Sequence, residues 1–325
     1  MSAMSSVDLH TILLDGRGGA RHLAPAEVDT WSPEQGVLWV HLDYTNPDDR
    51  QWPEHQSGLD PLIVEALLVE ETRPRATSVG EGLLIALRGV NLTPGAEPDD
   101  MVAIRLWINR QRIISTQRRR MLSVADVVER LMAGRGPENA AECLVDLVDR
   151  LVGRMSDTVD QFEDRVAELE DQVLGEGGAV MRSELAKLRR QAITLRRYLA
   201  PQREALGRLG GELAGWLDQN GQLRLREVSD RLIRHIEDLD AVRERAAVVQ
   251  EEVLGRMSEQ MNSRMYVLSV VAAIFLPLGF LTGLLGINVG GIPGAEYPLA
   301  FEIFIAMLVL VVILQVLVFR WRNWL

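Results

Sequence analysis

The sequence predicts an α+β domain with a mixed sheet and helices, followed by a long stalk helix and two transmembrane helices. Three observations support this fold class: strand-like apolar runs in the first third, heptad-spaced apolar residues from Glu138 onward, and two long uncharged stretches near the C-terminal end. With 325 residues, 47% of them hydrophobic and 25% charged, the composition is that of a folded protein. The single cysteine, Cys143, excludes an intramolecular disulfide framework and a cysteine-rich metal cluster.

The α/β domain is predicted to occupy residues 1–137. Apolar runs at 36–44 and 82–92 predict strands, and 101–116 predicts two strands with a turn near Asn109. The intervening segment 60–70 (DPLIVEALLVE) has helical spacing. The order of the strands does not follow from the sequence.

A helical hairpin is predicted over residues 138–221. The first helix has a heptad seam with one phase slip, and the GEGG sequence at 175–178 ends it. The seam consists of Leu144, Val148, Leu151, Met155, Val159, Phe162, Val166, Leu169 and Val173. The second helix, from Val180 to about Leu206, continues the seam with Met181, Leu185, Leu188, Ala192, Leu195 and Leu199. Pro201 is expected to kink or interrupt this helix, and the two helices are expected to run antiparallel.

The stalk helix is predicted over 222–264 and continues into the first membrane span. No proline occurs between Gln222 and Pro277, so a single helix reaching Leu285 would be roughly 96 Å long at 1.5 Å per residue. A helix of that length cannot be buried against one small domain. Two membrane spans also cannot enclose an aqueous path alone, so the sequence predicts a homo-oligomer.

Transmembrane helices are predicted at 265–285 and 299–319, joined by an outer loop at 286–298 and followed by a basic tail at 320–325. The alternative, two buried core helices, fits less well because core helices are rarely apolar all round at this length. Arg264, Arg320 and Arg322 flank the spans, whereas the loop has one acid and no basic residue. The positive-inside rule therefore places both termini in the cytoplasm, and no signal peptide is expected because the N-terminus has no continuous apolar region.

The charge distribution narrows the partners. Residues 260–325 contain three arginines and two glutamates, a net charge of +1. Since the whole chain has a net charge of −11, residues 1–259 have a net charge of −12. An acidic domain argues against nucleic acid as a partner. The chain lacks a Walker A motif and has one lysine, Lys187, so we expect neither an enzyme nor a bound cofactor.

Specific residues resemble the CorA-type divalent metal ion transporter family. The tripeptide GIN at 286–288, directly after a span with FLPLGF at its centre, closely resembles the GMN signature of that family. The segments MNSRMYVLS at 261–269 and LRRQAITLRRYLAPQREAL at 188–206 look like the family's junction with the membrane and the helix before its stalk. ETRPR at 71–75, LRGVN at 87–91 and DDMVAIRLW at 99–107 resemble its zinc-transport branch, often called ZntB.

The resemblance covers nearly the whole chain. It implies a funnel-shaped homopentamer in the bacterial inner (plasma) membrane that transports divalent cations, chiefly Zn²⁺ as the transported ion, with Co²⁺, Ni²⁺ and Cd²⁺ as further candidates. Ile287 stands where the magnesium-transporting branch has methionine, which favours zinc. A magnesium, cobalt or nickel channel remains the alternative, and a membrane-anchored coiled-coil scaffold or sensor is the alternative from another class.

The resemblance implies an ion filter of Gly286, Ile287 and Asn288 at the outer mouth. A ring of Asn288 amide oxygens can hydrogen-bond the water shell of a divalent ion without binding the ion too tightly to release it. The same tripeptide also suits a helix C-cap, since Gly and Asn are favoured there.

Heptad steps back from Gly286 select one face of the first span, which the resemblance assigns to the pore. The predicted pore-lining residues are Asn262, Met265, Ser269, Ala272, Leu276, Gly279 and Gly283. Met265 and Leu276 would form apolar collars that can gate by dewetting. The alternative is a helix-packing stripe, because small residues allow close contact in membranes.

Two further cation sites are predicted, one in the outer loop and one on the stalk. Glu296 is the one charge in the outer loop, and several copies would attract cations, although a solvated carboxylate is an equally good interpretation. His235 and Asp238 on the stalk can bind a regulatory cation between subunits, or else belong to a solvated helix face. Zinc prefers nitrogen and sulfur ligands, and no His or Cys follows His235, so selectivity for zinc is not visible in the pore.

The driving force is expected to be the ion gradient and the membrane potential. For a divalent ion entering a negative interior, the potential contributes about 4.6 kcal/mol per 100 mV. Coupling to protons stays open, with Glu302 near the outer interface as the one carboxylate in a predicted span.

Overall fold

A computed structural model of the chain describes residues 10–173, 178–286, 294 and 297–322. The chain divides into two compact units, Met1–Glu251 and Glu252–Leu325. Its strands are β1 His10–Leu14, β2 Ala20–His22, β3 Val37–Asp43, β4 Arg75–Val79, β5 Gly82–Val90, β6 Met101–Ile108 and β7 Arg112–Gln117. Its helices are α1 Pro25–Val28, α2 Pro47–His55, α3 Pro61–Leu68, α4 Leu122–Met132, α5 Ala140–Gln172, α6 Gly178–Glu212, α7 Gln219–Leu285 and α8 Ala300–Trp321, with a 3₁₀ turn at Pro33–Gln35.

The seven strands form one mixed sheet in the order β2-β1-β3-β7-β6-β5-β4. The β3–β7 pair is parallel and the other pairs are antiparallel. This confirms the predicted α+β fold class and the four predicted strands. The strands β1, β2 and β4 were not predicted, because they are short or polar and so carry weak strand patterns.

Both faces of the sheet are covered. In β3, Leu38, Val40 and Leu42 join one buried cluster with Ile63 and Leu67 of α3. The alternate residue Trp39 is fully buried and donates its indole N–H to Ser115 Oγ at 2.8 Å. Because alternate residues of a strand point to opposite faces, burial of both sets explains why β3 is a continuous apolar run.

The heptad seams predicted for α5 and α6 are confirmed. All nine seam residues of α5 and all six of α6 are buried. Arg165 of α5 pairs with Glu184 of α6 near the connection between these helices, as expected for an antiparallel hairpin. Of the two outcomes predicted for Pro201, a kink or an interruption, the interruption does not occur, since α6 continues to Glu212. Buried residues on both sides of the proline, Leu199 and Leu206 among them, hold the helix together despite the lost backbone hydrogen bond.

The N-terminal part of α7 packs with α5 and α6 through polar pairs. Arg231 of α7 contacts Asp149 of α5 at 3.1 Å, and Arg196 of α6 contacts Asp240 of α7 at 2.7 Å. The buried carboxylate of Asp146 accepts from two arginines, Arg130 of α4 and Arg224 of α7. One helix, α7, runs without interruption from Gln219 to Leu285, as predicted. The finer domain boundaries drawn from the sequence remain predictions.

Candidate functional site

The C-terminal unit contains two helices long and apolar enough to cross a membrane. They are the C-terminal part of α7 and the whole of α8, and neither apolar stretch is buried within the chain. A core helix of a soluble protein would be covered by its own chain, whereas these helices expose large apolar side chains such as Leu276, Phe280 and Leu310. Exposed apolar helices of this length require a hydrocarbon solvent.

The two spans contact each other along one stripe of each helix. On α7 the partly covered residues recur at helical spacing: Val270, Ala273, Ile274, Pro277, Leu278 and Leu281. On α8 they are Phe304, Met307, Leu308, Val311, Val312, Gln315 and Phe319. Steps of three and four residues place each set on one helix face, so α8 occupies a single face of α7.

A polar contact lies within this helix pair. Gln315 Nε2 donates to the carbonyl oxygen of Ala273 at 3.2 Å. In an uninterrupted helix that carbonyl would accept from the N–H of residue 277, but Pro277 has none. The Gln315 side chain therefore satisfies the backbone acceptor that the proline leaves unpaired, as is required in a bilayer without water. Gln315 is not among the residues predicted from the sequence, although an amide in the middle of an apolar span is a recognisable signal.

None of the seven predicted pore residues belongs to the stripe of α7 that α8 covers. From 257 to 269 every residue is exposed, so the burial pattern distinguishes the faces of α7 only from Val270 onward. All of Asn262, Met265, Ser269, Ala272, Leu276, Gly279 and Gly283 are exposed. Added Cβ atoms at Gly279 and Gly283 would meet nothing within 4 Å. Within the part of the chain that the structure describes, the face with these seven residues is free to contact a second copy or an aqueous path. The pore role of these residues stays a prediction.

The chemistry of this face is suited to a hydrated ion. The Ser269 hydroxyl donates to the carbonyl of Met265 at 2.8 Å, which satisfies its proton within the helix. Its oxygen lone pairs remain available to water molecules around an ion. The apolar side chains of Met265 and Leu276 project from the same face, with Leu276 74% exposed.

Gly286 lies immediately after α7. Its N–H donates to the Thr282 carbonyl at 2.9 Å, and a Cβ at this position would lie 2.7 Å from that same oxygen. Its φ is outside the left-handed region, so close approach to the last helical turn favours glycine here, not the αL conformation of a C-cap. Ile287, Asn288 and Glu296, the other predicted filter and loop residues, lie outside the described residues.

The structure places His235 among packed helices. It is 7% exposed, and its Nε2 lies 3.3 Å from Ser156 Oγ. Burial lowers the pKa of His235, with the nearby charge of Asp238 opposing the shift. Among the described residues, no group of three or more His, Cys, Asp or Glu side chains is placed to hold a metal ion. A regulatory cation held by His235 and Asp238 between subunits therefore remains a prediction.

Together, the fold and the site define a membrane protein in which a long helix from an α/β and helical unit enters an apolar, two-helix unit. The family model described as "CorA-like Mg2+ transporter protein" matches residues 34–321. The chain belongs to this family.

Two relatives and one solved structure are similar to this chain over nearly its full length. The chain is 38% identical over 305 residues to "Zinc transport protein ZntB" of Yersinia enterocolitica, covering 94% of this chain and 92% of that protein. It is 39% identical over 327 residues to "Divalent cation transporter CmaX" of Pseudomonas aeruginosa, covering 98% and 96%. The structure of full-length CmaX is similar with a TM-score of 0.85 at 37% identity, covering 99% of this chain and all of that one.

Proposed function

We propose that this protein transports divalent transition-metal cations across the bacterial inner membrane, chiefly zinc and in the direction of uptake. Membership of a transporter family and the names of two relatives, a zinc transport protein and a divalent cation transporter, support the substrate class. The proposal gives the chain no catalytic activity and no resident cofactor, with Zn²⁺ as the transported ion.

One structural observation carries the proposal. The seven residues selected from the sequence as pore-lining are all exposed, and none belongs to the stripe of α7 that α8 covers. In a homopentamer, five copies of the face with these residues would surround a central axis, with five α8 helices outside them. The small residues Gly283, Gly279 and Ala272 would leave room for a hydrated ion, and Leu276 and Met265 would narrow the path.

The proposed ion filter lies at the outer end of the pore formed by α7. Gly286 ends the helix with its backbone packed against Thr282, and Asn288 follows two residues later. Five Asn288 amides would replace part of the outer hydration of the ion, while Glu296 would raise the cation concentration near the entrance. Arginines at the ends of the spans support an orientation with both termini in the cytoplasm, by the positive-inside rule.

Two observations favour zinc over magnesium as the proposed substrate. Ile287 stands where the magnesium-transporting branch has methionine, and one relative is named a zinc transport protein. A filter of neutral oxygens that contacts hydrated ions discriminates weakly among similar divalent cations. Transport of cobalt, nickel and cadmium alongside zinc therefore follows from the same chemistry. The magnesium channel is the competing assignment within the family.

Zinc flux into liposomes that contain the purified protein tests the proposal. We expect Asn288→Ala to lose most zinc flux while its oligomer and thermal unfolding stay unchanged. Gln260→Ala is the matched control, since Gln260 is an exposed amide on α7 outside the pore stripe. Equal flux in the wild type and Asn288→Ala would contradict the filter, and no flux in the wild type would favour a scaffold or sensor.

Two further arms of the experiment define the mechanism. Magnesium at concentrations similar to those of zinc should leave zinc flux largely intact; full block would favour the magnesium channel. An imposed pH gradient separates the driving forces. A response to the gradient indicates proton coupling, with Glu302 as the next residue to test, whereas flux driven by voltage alone indicates a passive channel.

A further inference from the structure

The N-terminal unit contains a cavity of about 540 Å³ whose lining is strongly basic. This volume lies within the range of small-molecule sites in proteins. Six arginines and two glutamates line it, a net charge of +4 in a chain whose total charge is −11. The basic residues are Arg73, Arg88, Arg105, Arg118, Arg119 and Arg197. The local reversal of charge marks the cavity as an anion site.

Arg105 is the most unusual member of the lining. It lies on the interior strand β6, between β7 and β5, and is 1% exposed. Its Nη2 donates to the Glu70 carbonyl, but Nε and Nη1 have no hydrogen-bond partner. Among the described residues no carboxylate lies within ion-pair distance of this guanidinium. A buried charge without a counter-ion is costly, so a partner that supplies negative charge in the cavity would stabilise it.

Arg88, on the adjacent strand β5, is a second arginine of the lining and is half-buried. Its guanidinium donates to the Thr72 carbonyl at 3.0 Å and lies 4.2 Å from the centre of the Tyr198 ring. It too has no carboxylate partner in the described part of the chain. Burial lowers the pKa of Arg105, opposed by Tyr44 and reinforced by the positive charge of Arg88. Two uncompensated guanidinium groups on neighbouring strands therefore line one cavity.

Other lining arginines have different surroundings. Arg119 is neutralised by a two-point contact with Asp100, and Arg118 lies 3.9 Å from Glu70. Arg73 and Arg197 are exposed and have no ion pair among the described residues. The cavity thus combines one buried guanidinium group, Arg105, and one half-buried group, Arg88, with exposed ones that can close on a ligand.

We propose that this cavity binds a small phosphorylated ligand, with Arg105 and Arg88 holding the phosphate groups. Guanidinium presents a planar fork that matches phosphate oxygens in pairs, and its hydrogen bonds to phosphate are charge-assisted. The Tyr44 and Tyr198 rings already stack beneath these two guanidinium groups, at 5.1 Å and 4.2 Å, which fixes their planes. A divalent cation is excluded as the occupant by the positive charge of the lining. The site is therefore separate from the proposed transport path.

Isothermal titration of the full-length protein in phosphatidylcholine nanodiscs tests the proposal. Pyrophosphate and ADP are titrated separately in metal-free buffer, because both would otherwise chelate divalent ions. We expect saturable binding of one ligand per chain that weakens with salt. Similar affinities for the two probes would assign binding to the phosphates, whereas tighter binding of ADP would add a contribution from the nucleoside.

Variants locate the binding in the cavity. Arg105→Met should raise the dissociation constant about tenfold or more, as expected for loss of a charge-assisted contact. Arg105→Lys keeps the positive charge but removes the planar guanidinium group. It replaces Arg105→Met in the experiment if the methionine variant does not fold. Arg197→Gln should weaken binding several-fold, whereas Arg203→Gln, an exposed arginine on the same helix α6 and outside the cavity, should not.

Three results would overturn the proposal. The first is that neither probe binds at millimolar concentration. This result is expected if carboxylates of a neighbouring copy fill the cavity. The second is unchanged binding in Arg105→Lys and Arg197→Gln. The third is equal binding of citrate, which would replace phosphate by carboxylate as the recognised group. None of these results depends on zinc flux, so they leave the proposed transport function untouched.

Discussion

The contact between Gln315 and the Ala273 carbonyl predicts that Gln315 and Pro277 are energetically coupled. Replacing Gln315 by leucine removes the donor and leaves a backbone carbonyl unpaired in the membrane. Replacing Pro277 by alanine supplies a backbone N–H that can donate to the same carbonyl. Gln315→Leu should therefore destabilise the wild type and have a smaller effect in the Pro277→Ala background.

The expected coupling is about 1 kcal/mol per chain, within the range of about 0.6 to 1.7 kcal/mol for interhelical hydrogen bonds in membranes. The Nε2–O distance of 3.2 Å is at the long end for a hydrogen bond, which argues against a larger value. Gln315 Oε1 is buried without a partner, so its removal offsets part of the cost of the single substitution. That offset is the same in both backgrounds and cancels in a double-mutant cycle.

The assay is the free energy of unfolding of the four proteins in mixed detergent micelles, measured by tryptophan fluorescence. A loss on Gln315→Leu that is about 1 kcal/mol smaller with alanine at position 277 would support the reasoning. If the substitution costs the same in both backgrounds to within about 0.3 kcal/mol, Gln315 does not compensate for the proline.

Three further predictions concern separate parts of the chain. Gly286→Ala should lower the free energy of unfolding by about 1–3 kcal/mol, because the added Cβ would approach the Thr282 carbonyl. Gly283→Ala is the control, since a Cβ at Gly283 would meet nothing within 4 Å. An equal loss of stability in both variants would contradict the steric argument. Asp146→Asn should lower the free energy of unfolding by about 2–3 kcal/mol, since it removes the buried charge that pairs with two arginines, and an unchanged thermal midpoint would refute this. For His235 the folded pKa lies below the unfolded value, so its contribution to stability is complete above about pH 6.5 and is lost as the pH falls through the folded pKa. His235→Gln should therefore flatten the loss of stability below pH 6.5, and parallel pH curves for the two proteins would be the contrary result.

The membrane and bundle helices were predicted well from the sequence because their signals are long and periodic. The heptad seams of α5 and α6 repeat over many turns, so a single misplaced residue does not obscure them. The uncharged stretches at 265–295 and 303–319 are also long, and each contributes to a helix long and apolar enough to cross a membrane. Pro201 does not interrupt α6 because the packing of distant residues, which a local pattern does not contain, overrides the preference of one residue.

The weaker predictions concern short elements and contacts between distant residues. The strands β1, β2 and β4 have three to five residues each, too few for a period to emerge. His235 illustrates the second case, because its burial beside Ser156, a residue 79 positions away on α5, does not follow from the pattern along its own helix.

By itself, the sequence determined where the chain is apolar, where it is helical, and which residues form the GIN motif and the stripe behind it. These are properties of neighbours along the chain, set by side-chain hydrophobicity and helical period. The tertiary structure alone decided that α8 leaves the stripe uncovered, that Gln315 meets the carbonyl freed by Pro277, and that arginines 17 residues apart, Arg88 and Arg105, line one cavity. Such contacts join residues distant in sequence, and they exist only once strand pairing and helix packing have fixed their positions.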